Sequence, residues 1–142
     1  MGSSENNLRP GDILAKAVER AASPLGLTSG QLALILGVNE SDLGASIDPE
    51  SRVGIRARQL IRIYQHLYAL TGNDSSKMIH WMKTRNRQFK SAPIDRMRDT
   101  LGLEDITSYL ESLSPYGASA TFIISGAKSV QPDFASWRRG GT

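Results

Sequence analysis

Apolar residues recur at helical spacing along most of the chain, and breaks in that recurrence divide it into short segments. Ile13, Leu14, Ala17, Val18 and Ala21 share one face of a predicted first helix, with Asp12 as its N-cap and Ser23-Pro24 as its stop. Thr28 or Ser29 caps a second helix running to Leu36, closed by Gly37, a residue suited to a left-handed C-terminus. Asn39 or Ser41 then caps a third short helix holding Leu43 and Ile47. Asp48-Pro49-Glu50-Ser51 breaks the chain before a long helix to about Thr71, striped by Leu60, Ile63, Tyr64, Leu67 and Tyr68 and widened by Ile61 and Leu70. Gly72-Asn73-Asp74 ends it and caps a helix through Met78, Ile79, Trp81 and Met82. After a basic loop, Pro93 takes the first position of another helix, with Ile94 and Met97 facing inward. Gly102 separates it from a last helix, Glu104 to Leu113, striped by Ile106, Tyr109 or Leu110, and Leu113. No segment alternates with the period of a strand. The expectation is an all-α protein.

Two short helices around a tight glycine turn, with small Ala33 at the crossing and Leu32, Leu36, Val38 and Leu43 between them, make a helix-turn-helix, or else an ordinary helical hairpin. The segment boundaries predict a polar, disordered leader over 1–10, a helix-turn-helix unit over 11–71, a second small helical unit over 72–117 and an irregular tail over 118–142. In that tail the periodicity lapses. Gly, Ser and Ala dominate, with Phe122-Ile123-Ile124, Phe134 and Trp137-Arg138-Arg139 set among them.

Charge changes the picture in two places. Residues 1–76 carry seven basic and eight acidic side chains, residues 77–114 seven and five, and residues 115–142 three and one. Basicity therefore rises toward the C-terminal half. A DNA-reading role for the helix-turn-helix would use Ser29, Gln31, Asn39 and Ser41 near base edges and Arg52 and Arg56 at phosphates. Against it, the second helix carries Glu40 and Asp42, repelled by phosphates, and Gly44, which costs about 1 kcal/mol in a helix relative to Ala.

The chain has no cysteine, and its two histidines, His66 and His80, lie fourteen residues apart without metal-ligand spacing. Its carboxylates mostly sit at helix starts, and no phosphate-cradling loop or nucleophile–base pair is present. These patterns predict a binding protein and no enzyme, with no metal and no cofactor. A polar N-terminus without a signal segment, and apolar runs too short to span a bilayer, predict a cytoplasmic protein without membrane association.

From Trp81 onward a more specific pattern emerges. Trp81-Met82-Lys83-Thr84-Arg85-Asn86-Arg87-Gln88-Phe89, Pro93-Ile94-Asp95, Gly102, Ile106, Leu110 and Tyr116-Gly117 together resemble the toxin-binding domain of Xre/MbcA/ParS antitoxins. The preceding order of elements is similar too, so the resemblance covers roughly residues 25–117. The chain departs from the pattern at Arg85, where a proline is usual, at Lys90-Ser91 in place of a glycine-rich turn, at Ala92 in place of a capping threonine, and at Arg96 in place of an apolar residue.

The resemblance implies a type II antitoxin. Its partner would be a RES-type toxin that consumes NAD or transfers ADP-ribose, and its N-terminal unit would bind operator DNA and autorepress. It also implies a homo-oligomer, dimeric or larger. Candidate toxin-contacting residues are Arg85, Asn86 and Arg87 in the basic loop, then Tyr116, Phe122, Phe134, Trp137, Arg138 and Arg139. Aromatic and arginine side chains of this kind concentrate interface energy, although the tail aromatics serve equally well to cap the protein's own core. Two other readings stay open: a plain DNA-binding regulator whose C-terminal half only oligomerises, and a phage or plasmid adaptor with a different host partner.

Overall fold

In a computed structural model the described residues are 9–113, and they form six α-helices and one 3-10 turn with no strand. Helix α1 spans Pro10–Ala22, α2 Ser29–Leu36, α3 Arg52–Thr71, α4 Ser75–Lys83, α5 Pro93–Arg96 and α6 Thr100–Ser112. The all-α expectation holds.

Local chemistry sets most helix ends. Thr28 Oγ1 accepts the Gln31 N–H at 3.1 Å while Gln31 Oε1 accepts the Thr28 N–H at 2.9 Å, a reciprocal cap for α2. At the other end Gly37 is left-handed (φ 79°), and the N–H groups of Gly37 and Val38 both return to the Ala33 carbonyl. Ser51 caps α3 through Gly54, left-handed Gly72 ends it, and Asp74 caps α4.

Three boundaries differ from the expectation. Pro10 already opens α1, so its first residue lies inside the stretch expected to be disordered. Asp12 sits within that helix, its carboxylate accepting the Arg9 N–H at 3.3 Å. The helix expected to hold Leu43 and Ile47 shrinks to the 3-10 turn Glu40–Asp42, because Leu43 is extended and Gly44 adopts φ 95°. The last helix begins before Gly102, at Thr100, with Asp99 Oδ1 accepting the Gly102 N–H at 2.7 Å.

One core runs through the whole described chain, and α3, roughly 30 Å long, is its spine. Ala57, Leu60, Ile63 and Leu67 on α3 are fully buried. The core draws Leu14 and Val18 from α1, Leu32, Ile35 and Leu36 from α2, Met78, Trp81 and Met82 from α4, Met97 from the turn after α5, and Leu103, Ile106 and Leu110 from α6. Two expected stripe residues instead face outward, Ile13 at 54% and Tyr68 at 46% exposure. Ala15 and His66 are buried on those same two helices. His66 Nε2 lies 3.8 Å from Glu111 Oε2, which also receives Arg62 Nη2 at 2.5 Å, so this cluster ties α3 to the end of α6.

Candidate partner-binding site

The basic loop between α4 and α5 is a built turn. The Asn86 N–H donates to the Ser91 carbonyl at 3.0 Å, and the Asn86 carbonyl accepts from Phe89 and Lys90. Asn86 Oδ1 takes the Gln88 N–H at 2.8 Å. Asn86 is consequently 3% exposed, which corrects its reading as a surface contact: it shapes the loop from inside. Its Nδ2 has no hydrogen-bond partner among the described residues. Lys90 closes the turn at φ 58°, a left-handed conformation that side chains other than Gly, Asn and Asp rarely adopt.

That turn sends cations outward. Residues 83–98 contain six basic side chains against the single carboxylate of Asp95. Lys83, Arg85, Arg87, Lys90 and Arg98 are exposed, and none forms an ion pair with a described residue. Arg96 is the exception: it pairs with Asp105 across the α5–α6 corner, and its Nε is buried without a partner. Beside the pair lies an open groove of about 550 Å³, walled by Gln88 and Phe89 on one side and Asp105, Ser108 and Tyr109 on the other. Phe89 and Tyr109 meet edge to face at 5.3 Å and fix the groove floor to α6.

The expected DNA-reading residues are distributed differently. Ser29, Asn39, Ser41 and Arg52 are exposed, while Gln31 is occupied in the α2 cap. Arg56 reaches across the fold, donating from Nε to Thr100 Oγ1 at 3.2 Å, and its guanidinium lies where a Cβ on Gly37 would be. It ties α2 and α3 to the start of α6. Tyr116, Phe122, Phe134, Trp137, Arg138 and Arg139 fall outside the described residues.

Sequence reasoning found the cations but missed the groove. Its walls are separated in sequence by Pro93 and the whole of α5, and only tertiary packing joins them. Among the described residues no cluster of three His, Cys, Asp or Glu side chains is able to hold a metal ion, and no helix is long and apolar enough to cross a membrane.

An exposed cationic turn thus lies beside an open groove on a small helical unit. Residues 66–114, from the last turns of α3 to just past α6, match the family model of the antitoxin Xre/MbcA/ParS C-terminal toxin-binding domain. No curated protein matches the chain.

Proposed function

We propose that the protein is an antitoxin that neutralises a toxin by docking the face formed by the 83–90 loop and the adjoining groove. The observation that carries this reading is the exposed cationic loop, without an ion pair among the described residues, which lies inside the segment matching a toxin-binding domain. Four solvated cations on this loop, with no ion-pair partner among the described residues, favour an acidic surface and speed encounter with it. The open groove supplies the partly apolar contact that such a charged rim lacks. The resemblance read in the sequence points to a toxin of the NAD-consuming or ADP-ribosylating kind, and Tyr116, Phe122 and Phe134 extend the candidate contact beyond the described residues. Operator binding is not part of this reading. The segment that would enter a major groove is a 3-10 turn bearing Glu40 and Asp42.

The test is co-expression with the product of a small toxin-like gene adjacent to this one. Wild-type protein should restore growth and co-purify with the toxin. Arg85→Glu with Arg87→Glu should weaken the complex by at least about tenfold, as reversing charge at an electrostatic contact does, with unchanged helicity. Full rescue by the double variant, or no co-purification of the wild type, would refute the proposal.

A further inference from the structure

Where the expected third helix fails to form, the chain leaves a pocket. The loop from Leu43 to Asp48 passes over α1 and α2, held down by the Ile47 N–H donating to the Gly11 carbonyl at 3.1 Å. Only glycine fits at position 11, since a Cβ there would meet the Ser46 hydroxyl and the Ile47 carbonyl. Beneath the loop lies a cavity of about 190 Å³ whose walls are apolar, among them Val18, Leu32, Leu36, Val38, Ile47 and Val53. Close-packed interiors rarely leave an apolar space of this size unfilled. The space is also smaller than the roughly 300–1,000 Å³ of small-molecule sites, so it suits one large side chain. Its rim carries the carboxylates of Glu19, Asp42 and Asp48 and no cation. A fitting occupant is therefore an aromatic side chain flanked by positive charge.

Beyond the described residues the chain contains that combination once, at Trp137-Arg138-Arg139. Arg62 and His66 hold Glu111 near the C-terminal end of α3, whereas Val53, on the pocket wall, stands thirteen residues earlier on the same helix, roughly 20 Å away. The 24 residues from Leu113 to Trp137 span up to about 80 Å, ample for the distance. We infer that, in the free protein, Trp137 occupies the pocket beneath the 43–48 loop of its own chain, with Arg138 and Arg139 against the Glu19 and Asp42 carboxylates. This inference is independent of the antitoxin reading and needs no toxin to test.

The assay uses the full chain and its two tryptophans. Trp81 is buried, so subtracting the emission of Trp137→Phe from that of wild type isolates Trp137. We expect Trp137 emission to be blue-shifted and protected from acrylamide relative to a peptide of residues 128–142, and to be independent of protein concentration. Glu19→Lys with Asp42→Lys, both at exposed positions, should abolish the shift. So should Arg138→Glu with Arg139→Glu, which leaves the helical core untouched, and combining the two reversals should restore it. Peptide-like emission in the wild type overturns the inference. So does protection that survives both reversals, which would place Trp137 elsewhere, and so does protection lost on dilution, which would place it on a second copy.

Discussion

Gly102 allows a sharp test of how α5 and α6 are joined, because two effects of adding one methyl group oppose each other there. In an exposed helix Gly→Ala stabilises by up to about 1 kcal/mol, through helix propensity and a less disordered unfolded chain. At Gly102, however, a Cβ would run into the carbonyl oxygen of Arg96, lie 2.8 Å from its carbon and 3.3 Å from Asp99 Oδ1. The obstacle is backbone, so no rotamer change relieves it and α5 must move away from α6. That movement loosens Met97, fully buried between them, and strains the Arg96–Asp105 pair. Overpacking costs typically 1–3 kcal/mol and partial exposure of a Met core residue a similar amount, so the clash outweighs the propensity gain. Gly102→Ala should lose about 2–3 kcal/mol, a fall in Tm of roughly 10 °C for a folded unit of this length. Gly30→Ala is the control: its Cβ would meet nothing closer than Glu40 Oε1 at 3.8 Å, so it should be neutral or stabilise by up to about 1 kcal/mol. Urea denaturation followed by circular dichroism measures both. If Gly102→Ala proves as stable as wild type, the close approach of α5 to α6 is wrong.

Three further outcomes follow from individual contacts. Burial holds the His66 imidazole below its ordinary 6.5, with Arg62 acting in the same direction and Glu111 opposing. The folded state therefore resists protonation, and stability should fall as pH drops from 6.5 toward the lowered folded value and then level off. His66→Gln should flatten that slope in denaturation curves across the same window, and stability that rises on acidification would contradict the assignment. Thr28→Ala removes a reciprocal helix cap and should cost about 1 kcal/mol by the same denaturation assay, with no loss contradicting the cap. Lys90→Gly relieves a left-handed side-chain-bearing residue and should raise stability by up to about 1 kcal/mol, whereas a clear loss would show that the Lys90 side chain holds the turn.

The parts of the fold legible in the sequence were those fixed within a few residues. Thr28, Gly37, Gly72 and Asp74 each act on their own helix terminus, so local pattern was enough. Residues 39–47 misled because an extended Leu43 and a left-handed Gly44 take the backbone off the helical path directly after Asp42, whatever cap precedes it. Ile13 and Tyr68 misled for another reason: periodicity gives the width of a stripe but not which of its edges the neighbouring helices cover. Gly102 looked like a separator because glycine commonly ends helices, while the actual constraint is the Arg96 carbonyl pressed against it. At the site, the exposed cations were readable from composition. The inward role of Asn86 and the groove between Phe89 and Tyr109 were not, since both depend on contacts made only after the loop folds back on α6.

The spine helix has a consequence for how this protein can be taken apart. Buried side chains of α3 serve the helices on either side of it, and the segment matching the toxin-binding domain begins at residue 66, inside that helix. The unit recognisable by sequence is thus shorter than the unit able to fold. A chimaera joined near residue 72 would hand its recipient helices α4 to α6 without the wall they pack on, and leave the donor with a bare apolar flank. Exchange of binding specificity between such proteins works only if the graft carries α3 with it, or if the two α3 sequences are interchangeable. Selection on the 83–90 loop is in this way coupled to selection on the side chains that support α1 and α2.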